Sequence, residues 1–444
     1  MAGLDLNIIK SFTIEKLWGT APTIHVNLDG QFNFLIGRNG TGKTTVINLL
    51  AAVLTADFDR LDRIDFEKVI VLFKDTGKRR KHPSIEVNKK QKDGLPYFDI
   101  NYVFRESARD KPTAFDLDAL EQERFYRGSP SRLIRDRMYR ERFADLRETL
   151  SALVKTSWLS VHRHIDDGRN PDDRRFVPPI DQKLKELNIG LIRYFSSLSK
   201  EYSDKTLDFQ KKTFLSVLTP EKQESVFNFA RNLDLDQEKN TLAEIFNVLG
   251  VDQRHYSQKL KSHFDKLTKA IEQSSKRDQG LRADDYTTLY GAWKVHALVN
   301  DYEELQAERS RIFKPRDSFL NTLNQLFEGK KKVSISEKNE LTFTTNSRFT
   351  STSNSKEKTV LPEELSSGEK QILIILGEAL LQQSEPFVYI ADEPELSLHV
   401  FWQEELTTAI SQLNRNAQII FATHSPDIVG GHADKIIDME SLLS

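Results

Sequence analysis

The run "FNFLIGRNGTGKTTVINLLAAVL", Phe32 to Leu54, decides the fold. It opens as an apolar stretch suited to a buried strand and breaks at once into a glycine-rich loop. From Thr44 to Leu54 apolar residues then recur at helical spacing, at Val46, Leu49, Leu50 and Val53. Strand, loop and helix form the context in which G-x-x-x-x-G-K-[ST] cradles phosphates, and Gly37, Gly42, Lys43 and Thr44 fill that pattern. The glycines let backbone N–H groups turn toward phosphate oxygens, so Gly37, Arg38, Asn39, Gly40, Thr41, Gly42 and Thr45 are expected to line them. Lys43 supplies a point charge to the β- and γ-phosphates, and Thr44 offers its hydroxyl to magnesium. A ligand-free glycine turn would satisfy the letters but would not need the flanking strand and helix.

Outward from this loop, "IIKSFTIEKLW" and "TIHVNL" read as strands before it. After its helix, "EKVIVLFK", "SIEVN" and "YFDINYVF" read as an antiparallel meander. From about Asp110 to about Gly329 the texture is charged and helix-rich, and "IDQKLKELNIGLIRYFSSLSKEY" and "YSQKLKSHFDKLTKAIEQ" have amphipathic spacing. "TSWLSVHRH" interrupts it and reads as a strand of the main sheet, followed by a loop at "DDGRNPDDRRFVPP". "KVSISEKNELTF" predicts a hairpin and "TTNSRFTSTSNSKEK" a mobile loop. The expected organisation is a lobe with the phosphate loop and meander over 1–110 and a mainly helical insertion over 111–329, from which 156–164 returns to the core sheet. A second lobe then spans 330–444.

Composition narrows the chemistry. At 444 residues the chain exceeds the ~250 to 300 at which single cores stop growing, so two or three structural units are expected. A net charge of -2 gives no global preference for polyanions. Without cysteine there is no disulfide, thiolate nucleophile or Cys-ligated metal. The N-terminus has no targeting pattern, and the apolar runs are shorter than the ~20 residues of a membrane span. A cytoplasmic protein with no membrane partner is expected.

Three further stretches complete the chemistry. "FVYIADEPELSLH" is an apolar strand ending in two acids. Asp392 is placed to hold the magnesium with Thr44, and Glu393 to orient or deprotonate the attacking water. Two acids after a strand are also a common helix N-terminal cluster. "AQIIFATHSPDIV" ends a second apolar strand at Thr423 and His424, where a neutral imidazole can sense the γ-phosphate. In "LSSGEKQILIILGEALL", Ser366 to Glu369 has capping-box spacing, so a helix is expected to start there with its free N–H groups facing an anion. Any well-capped buried helix has the same spacing.

Glycine-rich loop, "LSSGE", "ADEP" and "THS", in this order, resemble the ATP-binding-cassette ATPases. The Asn of "GRNGTGKT", the "EPELSLH" and the "THSP" are similar to the branch of RecF, chromosome-maintenance (SMC) and OLD-nuclease proteins, which acts on DNA, more than to transporter ATPases. The resemblance covers about 1–105 and 330–444 and reaches the middle only by position. It implies an α/β fold: an ABC-type ATPase head, with a mixed or parallel sheet carrying the phosphate loop and an antiparallel β-subdomain, interrupted by a large helical insertion. It further implies ATP and Mg2+ as ligands and two heads meeting head to tail, with scope for a higher oligomer. Each ATP then lies between one chain's phosphate loop and the other's signature, so Ser366 and Gly368 would serve the partner's ATP in trans. The family's glutamine-loop role is left unassigned, since Gln91 stands in a charged turn.

OLD nucleases continue into a Toprim domain, but this sequence ends twenty residues after His424, so no nuclease site of its own is expected. In this it resembles the PtuA-type ATPases of Septu antiphage systems, including those attached to retrons. That likeness implies a separate HNH-type nuclease as partner and, in the retron case, a reverse transcriptase with its DNA–RNA product. The competing expectation is a RecF-like DNA-binding repair ATPase. Nucleic acid would meet local basic patches: nine Lys/Arg from Lys68 to Lys92, around "GKRRKH", and the arginine-rich "ERFYRGSPSRLIRDRMYRERFADLR" with Phe125, Tyr126 and Tyr139 interleaved. A solvated turn and a salt-bridged helix explain the same patches.

Overall fold

The computed structural model of the chain describes residues 7–75, 82–91, 98–107, 110–116, 144–160, 179–218, 233–274, 282–328, 331–345 and 358–443. Most of the basic "GKRRKH" tip, the arginine-rich run as far as Phe143, the "DDGRNPDDRRFVPP" loop and most of the Ser/Thr-rich loop lie outside these residues. Two compact units are present, one of residues 1–193 with 315–444 and one of residues 194–314.

The first unit begins with β1 (Asn7–Glu15), β2 (Ile24–Asn27), β3 (Phe32–Ile36), α1 (Lys43–Thr55) and α2 (Phe58–Arg63). β4 (Lys68–Asp75), β5 (Ser84–Gln91), β6 (Phe98–Arg105), β7 (Thr113–Asp116), α3 (Ala144–Leu153) and β8 (Thr156–Ser160) follow. Among the described residues, α4 (Pro179–Leu218), α5 (Leu235–Val248), α6 (Gln253–Ser274) and α7 (Ala283–Leu326) come next. β9 (Lys331–Ile335), β10 (Leu341–Thr345), β11 (Lys358–Val360), α8 (Ser367–Leu381), β12 (Phe387–Asp392) and α9 (Val400–Leu413) lead to the C-terminal part. There the order is β13 (Ala417–Ala422), α10 (Pro426–Val429), β14 (Ile436–Asp438) and α11 (Met439–Leu443).

β14, β3, β13, β12 and β8 form a parallel sheet in that order. Every residue of β12 and β13 is buried, as expected for strands covered on both faces. The antiparallel sheet has the order β2, β1, β4, β5, β6, β7, and a three-stranded sheet has the order β11, β10, β9. In α1 the buried Val46, Ile47 and Leu49 to Leu54 share one core with residues of β1, β4, β5, β6, β12 and β13. Gln418, fully buried in β13, joins the two large sheets. Its Oε1 accepts from Ile9 N at 2.8 Å and its Nε2 donates to Ile9 O at 2.7 Å, where the β1–β4 register shifts. A buried amide that meets both backbone groups of a residue beside a bulge removes the cost of leaving them unpaired.

α3 belongs to this unit, with Leu146, Leu150 and Leu153 in the same core, and β8 pairs with β12. Helix α8 meets the start of α4 closely. A Cβ at Gly377 would lie 2.8 Å from Leu187 and one at Gly190 2.8 Å from Leu381, and Lys370 pairs with Asp181 at 2.8 Å and Glu378 with Lys183. In the second unit, Leu242, Ile245, Tyr256, Leu260, Phe264, Leu267, Leu289 and Val299 form the core of a helical cluster. Its last residue, Lys314, precedes Pro315, a helix-interior proline of α7 that donates no backbone hydrogen bond.

Candidate functional site

Parallel strands deliver their C-terminal ends to one edge of the sheet, where open α/β sheets bind ligands. At this edge stand the loop after β3, Asp392 and Glu393 after β12, Thr423 and His424 after β13, and Met439 and Glu440 after β14. In the loop, Gly40 (φ +86) and Gly42 (φ +82) are left-handed, a conformation that favours glycine. Among the described residues, no atom stands within 4 Å of where a Cβ on Gly40 would be. Lys43 Nζ arches over the loop and donates to Gly37 O (2.7 Å) and Arg38 O (3.1 Å), and Thr41 Oγ1 donates to Arg38 O (2.9 Å). Burial pushes the Lys43 ammonium below its ordinary value, against the opposing pull of Glu393, Asp392, Glu395 and Glu440.

Thr44 Oγ1 donates to Asp392 Oδ1 at 3.1 Å across 348 residues of sequence. Two hard oxygen donors side by side are the set that magnesium takes together with water and phosphate. Glu393 follows with a left-handed φ of 49, and its amide donates to Ala422 O at 2.8 Å. A non-glycine residue in that region is held there by its surroundings, here by this link to the end of β13. Thr423 is fully buried while His424 is exposed. The Thr423 hydroxyl and the His424 amide both donate to Glu395 Oε1, each at 2.8 Å.

Two neighbours of the loop carry little sequence signal. Trp18, at φ 57 and 41% exposed, stands so near the loop that a Cβ on Gly42 would come within 2.3 Å of its ring. It reads in sequence as the end of a strand, and only a hydrophobic residue next to a glycine in a turn hints otherwise. Glu440 of α11 accepts from Arg38 N at 3.3 Å across 402 residues, a contact no local pattern encodes.

The start of α8 is built around its own chain. Ser366 Oγ accepts from Glu369 N (3.3 Å) and Glu369 Oε2 accepts from Ser366 N (2.7 Å), a complete capping box that Lys331 completes with bonds of 2.8 and 2.7 Å to Glu369. Gly368 is buried, and a Cβ there would lie 2.3 Å from Ser397 O and 3.1 Å from Trp402. Gln371 Nε2 donates to Pro394 O at 2.8 Å. The structure thus brings together Lys43, Thr44, Asp392, Glu393 and the His424 backbone. It places Ser366 and Gly368 beside the turn that follows Glu393, in contact with Glu369, Ser397 and Trp402.

Residues 32–430 match a family model described as "AAA domain, putative AbiEii toxin, Type IV TA system". No curated protein matches the chain. Similar solved structures include the Smc head domain of Pyrococcus furiosus, with an extended coiled coil and bound to the C-terminal domain of ScpA. It is 12% identical over 98% of this chain and 93% of that chain, at a TM-score of 0.43. The Smc head domain of Pyrococcus yayanosii, with a coiled coil and joint, is 12% identical over 98% and 95%, at 0.38. That of Thermotoga maritima is 12% identical over 97% and 94%, at 0.33.

Proposed function

The chain belongs to the AAA-domain family whose model spans residues 32–430, and on that premise we propose that it is an ATP-hydrolysing switch that works as a head-to-tail pair. The observation that carries the reading is the 3.1 Å bond from Thr44 to Asp392, which unites the phosphate loop with the acid-bearing strand. The loop amides from Gly37 to Thr45 and the Lys43 ammonium hold the phosphates. Thr44 and Asp392 would hold Mg2+, which when bound supplies neutralising charge between phosphates. Glu393, pinned through its amide to Ala422, orients or deprotonates the attacking water. His424 senses the γ-phosphate. Trp18 offers a flat ring beside Gly42 for a nucleobase.

Ser366 and Gly368 are assigned to the ATP of a second copy, because the capping box uses the Glu369 amide while the amides of Ser367 and Gly368, in the first turn of α8, have no partner within the helix and can face an anion. A family described by a toxin and a toxin–antitoxin system favours an ATPase that governs a damaging activity over one that loads repair proteins. We assign that activity to a separate HNH-type nuclease in Septu-like antiviral defence, with a retron's reverse transcriptase and DNA–RNA product as a further partner.

The test is Glu393→Gln. It should bind Mg2+-ATP, lose hydrolysis and shift to twice the mass in light scattering when ATP is added. Hydrolysis at the wild-type rate would sink the catalytic assignment, and an unchanged mass would sink the pair. Copurification with an HNH protein supports the nuclease link, whereas ATP-dependent DNA binding by the chain alone would replace it with the RecF-like role.

A further inference from the structure

We propose that Glu395 is the positioning residue that fixes His424 at the phosphate edge. Both residues belong to stretches that the ATPase reading uses, but that reading gives Glu395 no task. β13 leaves the sheet after Ala422, whose ladder partners are Asp392 and Leu35. Thr423 keeps one backbone link, its amide to Leu35 O at 3.1 Å. The next amide, that of His424, has left the ladder and needs another acceptor. It finds Glu395 Oε1, which also takes the buried Thr423 hydroxyl. The hydroxyl in turn accepts from Ser425 N at 3.0 Å. One carboxylate oxygen therefore sets the backbone on both sides of His424, and charge-assisted bonds of this kind are the strong ones.

Glu395 is itself held firmly. Leu398 N donates to its carbonyl at 2.9 Å, and Gln371 ties the preceding Pro394 to α8. Gln403 of α9 makes a second tie between the same two segments, donating to Leu398 O at 2.9 Å and accepting from Ser425 Oγ at 2.7 Å. The other carboxylate oxygen, Oε2, is buried and has no hydrogen-bond partner among the described residues. Glu395 thus acts through a single oxygen, which a glutamine also carries and an alanine does not.

The inference rests on the assignment of His424 to the γ-phosphate, and the experiment separates the two. The nucleotide-free protein is labelled with 13C-histidine and the His424 resonance is identified among the ten histidines by its loss in His424→Gln. Glu395→Ala should move or broaden that resonance and leave those of distant histidines in place, and Glu395→Gln should restore it. A His424 resonance that stays fixed in Glu395→Ala, or that glutamine fails to restore, overturns the proposal. The second arm compares equilibrium binding of Mg2+-ATP with Mg2+-ADP. His424→Ala and Glu395→Ala should each lose preference for ATP by roughly 10- to 100-fold, the worth of a hydrogen bond to a charged group. The double variant should lose no more than His424→Ala alone. A double loss equal to the product of the single losses overturns the proposal, because Glu395 would then act by a separate route. A moved resonance with ATP preference intact in His424→Ala keeps the positioning role and removes the γ-phosphate role.

Discussion

Two helix starts in this molecule carry glycines beside an expected phosphate, and their glycines do opposite things. At the phosphate loop, Gly40 is left-handed and, among the described residues, faces space empty to 4 Å, while Lys43 bonds among those residues only to carbonyls of its own loop. At α8, Gly368 lies against Ser397 O, and Ser366 is occupied as a cap. The first element is shaped for something from outside the chain. The second is shaped around its own chain, and of its first turn the amides of Ser367 and Gly368 are left without a partner inside the helix. The two proposed phosphate sites therefore differ in build, one a loop left open and the other a turn packed on its own chain.

The largest break in this comparison is Lys43→Ala. It should weaken Mg2+-ATP binding by about 100-fold or more, since a desolvated ammonium facing phosphates is lost, and shift the melting temperature of the nucleotide-free chain little. Equilibrium binding checks it, and unchanged affinity would remove the loop from the site. The paired glycine variants come next. Gly368→Ala should cost about 1 to 3 kcal/mol of stability, as overpacking against a backbone oxygen does, with ATP affinity of the isolated chain preserved. Gly40→Ala should lower ATP affinity more than stability, because its left-handed strain of about 1 to 2 kcal/mol is relieved by a shift of the loop that binds. Thermal melts and binding curves on both variants decide whether the two glycines differ as stated. Trp18→Ala is smaller again. If the ring stacks on a base, worth about 1 to 3 kcal/mol, affinity for ATP should fall while affinity for inorganic triphosphate stays the same. Equal loss for both ligands would make the ring a structural cover for Gly42.

The parts of this contrast differ in how well they can be read from sequence. β12 and β13 print as continuous apolar runs because both of their faces are buried, and the capping box at Ser366 prints because it lies within four residues. The phosphate loop prints because its flanking strand and helix are contiguous with it. What does not print is made by tertiary approach: Trp18 over Gly42, Glu440 on Arg38, and Ser397 against Gly368. The same holds for β7, "TAFD", a four-residue edge strand with little side-chain pattern. α4 runs on from Tyr202 to Leu218 and α7 extends over 44 residues, and neither is legible as one helix. Each contributes residues to both units, so no single apolar stripe need run its whole length.

The smallest effect tests whether the α8 start is as rigid as the comparison requires. Burial alone would push the Glu369 carboxyl up, but the Lys331 ammonium and the Ser366 amide outweigh it and hold the group below its ordinary value. A carboxyl depressed in the folded state contributes stability above its unfolded pKa and loses it as the pH falls through the folded one. The capping box should therefore be fully effective at neutral pH and weaken from about pH 4.3 downward. Glu369→Gln should lower stability at pH 7 by about 1 kcal/mol, and the gap to wild type should narrow in melts near pH 4. On the proposed head-to-tail pairing the gap must also be insensitive to added Mg2+-ATP in the monomeric chain, because the box would then serve the nucleotide of a second copy. A gap that grew with ATP would mean that α8 and the phosphate loop serve one nucleotide within one chain, and the contrast between the two helix starts would collapse.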